Sequence, residues 1–200
     1  VTDRATGQPM ILSNWHVLVG DWRAFRNRPI YQPGRMHGGG GADAIATLER
    51  DAMTANLDAA VARISGNRPL INDQLGLGPV KGVGQARKGM LVKKVGCTTN
   101  LTHGVVTGFG GVSKMNYAGI SRLIGPTITI EQRASGEQVS AGGDSGSWWL
   151  DAETMQAVGL HFAGQDDPEV ALALDMQSVL NALSVDIPPA VPQMSRFRRS

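Results

Sequence analysis

The 200-residue sequence has a single cysteine, Cys97, so no internal disulfide can staple its fold. A lone thiol suits a reducing compartment and a secreted bacterial protein equally, which leaves localisation open between the two. Aromatic residues are scarce at 5% and charged residues reach only 18%, whereas there are 26 glycines and 10 prolines. That balance supplies many tight turns and little material for long helices, so an all-β chain is expected. No apolar run is long enough to cross a bilayer, and the opening "VTDRATGQPM" lacks the pattern of a signal peptide, so no membrane partner is expected. The net charge of +2 is too small to argue for nucleic acid, and part of the excess sits in Arg196, Arg198 and Arg199.

What is present is a hydrophobic content of 42%, enough for one sizeable core or two small barrels sharing an interface. "PMILSNWHVLVG" reads as a buried strand ending at His16, "ADAIATLER" as a strand with alternating faces, and "NLDAAVARI" as a strand with Asp58 at its entrance. A stretch rich in Gly, Pro and Asn, residues 65–90, suits a crossing between halves. Beyond it, "MLVKKVGCTTNLTHGVVTGFGG" predicts two strands around the turn "TTN", with further strands at "LIGPTITIEQ" and "QAVGLHFAG". "ALALDMQSVLNALSV" places Leu174, Val179, Leu180 and Leu183 at helical spacing, and the Pro-rich basic end from residue 186 reads as a flexible tail.

One stretch, "SAGGDSGSWWL", stands apart from ordinary turns. A nucleophilic serine needs an exposed hydroxyl and backbone N–H groups aimed at the oxygen that turns negative during attack. Glycines at 142, 143 and 146 permit positive φ and close approach of a substrate carbonyl, and the N–H groups of Gly143 and Ser145 can converge on one point. Asp144 is suited to lock the loop through an internal ion pair or hydrogen bonds. A bland reading, a polar surface turn, is available for the six residues taken alone. It loses ground because a serine nucleophile requires a base held by a carboxylate, and His16 in "LSNWHV" and Asp58 in "NLDAAV" supply both in the order His, Asp, Ser.

"LSNWHV", "LDAAVARI" and "GGDSGS" resemble the three catalytic blocks of the trypsin/chymotrypsin-like serine peptidases, particularly bacterial members, over about residues 1–185. The resemblance implies two antiparallel six-stranded barrels with a C-terminal helix and the site in the cleft between them. It implies His16 as general base, Asp58 as its holder, Ser145 as nucleophile and an oxyanion hole of Gly143 and Ser145, with no metal or organic cofactor. The expected layout is an N-terminal barrel over 1–85, a C-terminal barrel with the helix over 86–185, and the tail over 186–200. His16 comes early for this family, so the first barrel is expected to be incomplete and the chain to be part of a longer or processed protein with an additional N-terminal segment. No "IVGG"-like start is present, which argues against activation by a new amino terminus reaching Asp144.

The expected activity is endopeptidase cleavage of a protein or peptide substrate. Two rivals are a catalytically inactive binding module on the same fold and an acyl hydrolase or esterase; the latter's usual order of serine, acid and histidine is violated here. For the substrate pocket, the resemblance points to Val139, Ser140, His161 and Ala163. Uncharged Val139 argues against a strong Arg or Lys preference. "GLHFAG" is similar to the "GIHxxG" of glutamyl endopeptidases, which implies that His161, with Ser140 opposite, contacts a Glu or Gln side chain before the scissile bond. His37 and His103 lack metal-ligand spacing and are read as structural, Cys97 as a buried or idle thiol, and Asp166, Asp167 and Glu169 as a solvated loop.

Overall fold

The computed structural model describes residues 1–24, 26–65 and 71–189. Among the described residues fourteen strands and two α-helices run in the order β1 (Thr2–Asp3), β2 (Met10–Ser13), α1 (Trp15–Leu18), β3 (Pro29–Tyr31), β4 (Ala44–Asp51), β5 (Ala60–Ile64), β6 (Asp73–Gln74), β7 (Gly78–Pro79), β8 (Leu91–Gly96), β9 (Asn100–Tyr117), β10 (Ile120–Glu131), β11 (Trp148–Asp151), β12 (Ala157–Asp166), β13 (Glu169–Asp175), α2 (Met176–Ala182) and β14 (Val185–Asp186). The chain is thus mostly β with a short C-terminal helix.

The second half closes into a six-stranded barrel, β10-β13-β12-β11-β8-β9. Closure follows from alternation: along β8 every second residue, Val92, Lys94 and Gly96, faces inward, and β9 answers with Thr102, Gly104 and Val106. Ile128, Ile130, Trp149, Val158 and Ala173 fill the interior. Among the described residues the first half, whose barrel is expected to be incomplete, does not close into a second barrel. It is a four-stranded antiparallel sheet, β2-β5-β4-β3, in which β2 and β3 are edges; an edge left without a further partner cannot close a barrel. β1 pairs with β14, and β6 with β7, as separate two-stranded ribbons.

A second buried cluster welds the halves, running from Leu12, Trp15 and Val61 of the first to Leu150, Phe162 and Leu180 of the second. The β9–β10 hairpin extends beyond the barrel and lies on the first half: Trp22 Nε1 donates to the Tyr117 carbonyl at 2.6 Å and Gly125 N–H donates to the Asn56 carbonyl at 3.1 Å. The Arg122 guanidinium covers the Trp22 ring at 4.9 Å.

Three local expectations are corrected. His16 lies not at a strand end but in the one-turn helix α1, because Trp15 is drawn into the core between Trp22 and Tyr117 and coils the chain there. Helix α2 starts at Met176; Leu174 belongs to β13, and Asp175, whose carboxylate accepts from Ser178 N–H at 2.8 Å, caps the helix after the strand. Glu169 is no loop residue in free solvent: its carboxylate accepts from Val139 N–H at 2.7 Å and Ser140 N–H at 3.1 Å. Within the expected tail, residues 190–200 lie outside the described residues, as do 66–70 of the crossing.

Candidate active site

Asp58 stands just before β5, after a 3-10 turn over Met53–Ala55 that Asn56 ends at φ 60. The turn drives the aspartate into the interior, where it is fully buried. Burying a carboxylate is costly unless its lone pairs are filled. His16 N–H donates to Oδ1 at 3.0 Å, Tyr117 O–H donates to Oδ2 at 2.9 Å, and His16 Nδ1 lies 2.5 Å from Oδ2. Buried Asn14 adds a bond from Nδ2 to the Asp58 carbonyl at 2.8 Å, fastening α1 to the entrance of β5. A carboxylate only accepts, so His16 carries its proton on Nδ1 and leaves Nε2 able to take one up. The imidazole stacks on the Tyr117 ring, centroids 6.0 Å apart, and its side chain stays 29% exposed. Tyr117 was not singled out in the sequence, and burial together with the Asp58 charge pushes its phenol well above the usual range, so it stays a donor.

The loop between Ser140 and Ser147 is wound around Asp144. Lys94 Nζ donates to Asp144 Oδ2 at 2.7 Å, and neither side chain is exposed. Thr99 O–H donates to the same oxygen at 2.6 Å, the amides of Thr98 and Thr99 to Oδ1 at 2.9 and 3.1 Å, and the Ala141 amide to Oδ2 at 3.1 Å. Burial alone would raise the Asp144 carboxyl, but the bonds from Lys94, Thr99 and Thr98 outweigh it and hold the group well below the usual carboxylate range. Asp144 therefore has the local partner expected of it. Lys94 was missed, although a lysine on the Val92 face of a strand entering a core is a readable signal.

Two glycines are required by this winding. Gly143 takes φ +103 and Gly146 φ +89; a side chain at the first would strike Thr98 Oγ1 and at the second Ser13 Oγ. Strand β12 pins the loop: Gly146 N–H donates to the His161 carbonyl at 3.0 Å and His161 N–H to the Ser147 carbonyl at 2.9 Å. Among the described residues, the N–H groups of Gly143 and Ser145 have no internal acceptor. Both residues border a cleft of about 630 Å³ that His16 also lines. The arrangement thus joins a buried carboxylate, an imidazole with a free nitrogen, a hydroxyl and two unused amide donors around one space.

The pocket candidates sit differently. Val139, Ser140 and His161 are 0%, 4% and 2% exposed, and the Glu169 carboxylate holds the Val139 and Ser140 amides. Ala163 is half-buried. Burial, reinforced by the Lys94 ammonium, lowers His161 to about 3, so its imidazole is neutral. His161 Nδ1 has no hydrogen-bond partner among the described residues, and Trp149 meets the ring edge-on with centroids 6.2 Å apart. Cys97 is exposed at the cleft rather than buried, and His37 lines the same cleft. His103 is half-buried on β9.

No protein-family model and no curated protein matches the chain. Solved structures do. The protease NAPase of Nocardiopsis matches with a TM-score of 0.65 and 19% identity over 91% of this chain and 86% of that one. A glutamic acid specific serine protease, described as using a histidine triad in substrate binding, matches with a TM-score of 0.65 and 20% identity over 92% and 88%. The Rv3671c protease of M. tuberculosis, in its active form, matches with a TM-score of 0.53 and 17% identity over 90% and 71%. The chain has the fold of bacterial chymotrypsin-like serine proteases.

Proposed function

We propose that the protein is a serine endopeptidase acting through an acyl-enzyme on Ser145. The observation that carries the reading is the buried Asp58–His16 pair opening onto the cleft that Ser145 shares, beside two amides with nothing to bind. Ser145 Oγ attacks the scissile carbonyl while His16 Nε2 takes its proton; Asp58 holds the imidazole and faces the charge it gains. The carbonyl oxygen, now negative, receives the N–H groups of Gly143 and Ser145. His16 then protonates the departing amine, and water repeats the sequence to free the acid. Tyr117 positions Asp58 from the far side, and no metal or organic cofactor takes part in this scheme. Residues 1–85 would supply the base and its holder, and 86–185 the nucleophile.

The test is covalent labelling with a peptidyl phosphonate, followed by cleavage of a peptide library. One adduct on Ser145 and cuts that vanish in Ser145→Ala are expected, with a fall in kcat on the order of 10⁶-fold. Cuts that persist in the mutant, or a label elsewhere, defeat the proposal. An intact fold that neither labels nor cuts would favour the inactive binding module.

For the residue before the scissile bond we propose Glu or Gln, with Gln ahead of Glu. The support is His161, a buried neutral imidazole with an unpartnered nitrogen, beside Ser140. A neutral imidazole offers a hydrogen bond but no counter-charge, and the Glu169 carboxylate behind Val139 and Ser140 repels a second carboxylate. Among otherwise identical peptides, kcat/KM is expected to rank Gln, then Glu, then Ala, and the Gln advantage to disappear in His161→Phe. A ranking led by Ala removes the histidine from substrate recognition.

A further inference from the structure

The cleft beside Ser145 carries a charge pattern for which the chemistry proposed above has no use. Its outer wall brings Arg28, Arg35 and His37 to the space that Gly143 and Ser145 border, and neither Asp nor Glu lines it. Among the described residues neither guanidinium has a carboxylate partner, although Arg4, Arg26, Arg50, Arg63 and Arg133 all do. Both are nevertheless held in place. Arg28 donates to the Val19 carbonyl at 3.1 Å, at the end of α1; Arg35 donates to the Tyr31 hydroxyl at 3.1 Å and lies 4.8 Å over that ring. A cation already fixed by neutral groups gives up little freedom when an anion arrives, and its charge is still unspent. Between the arginines the wall is apolar, with Val17, Ile30 and Met36.

The position of this wall decides which part of a substrate meets it. His16 also borders a second cleft, of about 280 Å³, whose far side is Met115, Tyr117 and Phe162. Phe162 and Ala163 are neighbours on β12, the strand assigned above to the residue before the scissile bond. A peptide laid past Ser145 therefore has its acyl side along β12 and its leaving side in the arginine-walled cleft.

Resting on the reading of Ser145 as nucleophile, we propose that this cleft selects substrates carrying an acidic side chain within the first few residues after the scissile bond, seated against Arg28 and Arg35. An apolar residue beside it fills the space along Ile30 and Val17. The acid contributes to recognition of the leaving segment and takes no part in the bond-breaking steps.

The experiment uses paired peptides with one fixed acyl half and a leaving half bearing Asp, Asn or Lys at the second or third residue, assayed at low and at moderate salt. Asp is expected to exceed Asn by roughly tenfold in kcat/KM, with Lys lowest and the gap narrowing as salt rises. Arg35→Glu, a change at an exposed residue, is expected to reverse the order, and Arg28→Gln to flatten it. Equal rates for the three peptides, or an order unmoved by Arg35→Glu, overturn the inference. An acyl p-nitroanilide, which has no leaving peptide, separates the two claims: its turnover in Arg35→Glu must stay at the wild-type level. If no substrate of any kind is cut, anisotropy of the same labelled peptides decides, since tighter binding of the Asp peptide that is lost in Arg35→Glu upholds the cleft and equal binding defeats it.

Discussion

The two halves of the molecule hold their polar groups by opposite means. In the closed barrel, Asp144 is neutralised from within by Lys94, a residue of the same barrel, and the bonds that fix the loop between Ser140 and Ser147 are internal to that half. In the four-stranded sheet, Asp58 has no such cation; its third bond arrives from outside, through the hydroxyl of Tyr117 on the barrel's long hairpin. The barrel is self-sufficient and the sheet depends on its neighbour. A closed sheet has a dry interior in which an ion pair can be sealed, whereas an open one leaves its buried carboxylate to be completed across an interface.

Breaking the internal pair should have the largest effect on stability. Lys94→Met leaves the Asp144 charge buried without its cation and is expected to cost about 3 to 5 kcal/mol, read from urea unfolding, with collapse of the proposed peptidase activity as the Gly143 and Ser145 amides lose their anchor. A variant as stable as wild type would show that the hydrogen bonds from Thr98 and Thr99 suffice.

The cross-half bond is worth less. Tyr117→Phe keeps the ring against Trp15 and His16 but removes the donor to Asp58, and a loss of about tenfold in kcat/KM is expected. Unchanged kcat/KM in Tyr117→Phe would mean that the ring only fills space beside the pair.

The smallest effect concerns a second tie between the halves. Arg50 on β4 donates to the Leu183 carbonyl at 2.8 Å and to Asp3 Oδ2 at 2.6 Å. Its bond, ahead of those from Thr6, lowers the Asp3 carboxyl to about 2. A depressed carboxyl stabilises the fold above its unfolded value near 4 and loses that contribution as pH falls toward 2. Acid unfolding of Arg50→Gln should therefore lack part of the stability change between pH 4 and pH 2, and curves identical to wild type would remove the tie from the comparison.

The same division decides what the sequence discloses. Barrel strands were readable because alternation and turn residues are local, as in "LVKKVG" and "TTN", and the nucleophile loop announces itself by its glycines. His16 and Asp58 could be placed near one another only through their motif neighbours, and the structure brings them to 2.5 Å. Tyr117 could not be found that way, since its partner is distant along the chain and nothing in "MNYAG" marks a tyrosine that points into another half. Helix α2 was foreseen too long, because Leu174 was grouped with Val179, Leu180 and Leu183, whereas it pairs as a strand with Thr127 and Leu160. The pair of six-stranded barrels, with the first expected to be incomplete, rested on resemblance alone, and the short β3 gives the sheet little to close with.

The hairpin that carries Tyr117 also has a meaning in time. Its strands can zip up locally as the barrel forms, yet the bond to Asp58 exists only after the hairpin tip has landed on a sheet built from the other end of the chain. The barrel can therefore be ordered while the carboxylate is still short of a donor, and recovery of the proposed activity after dilution from denaturant should trail the burial of Trp149 in the barrel.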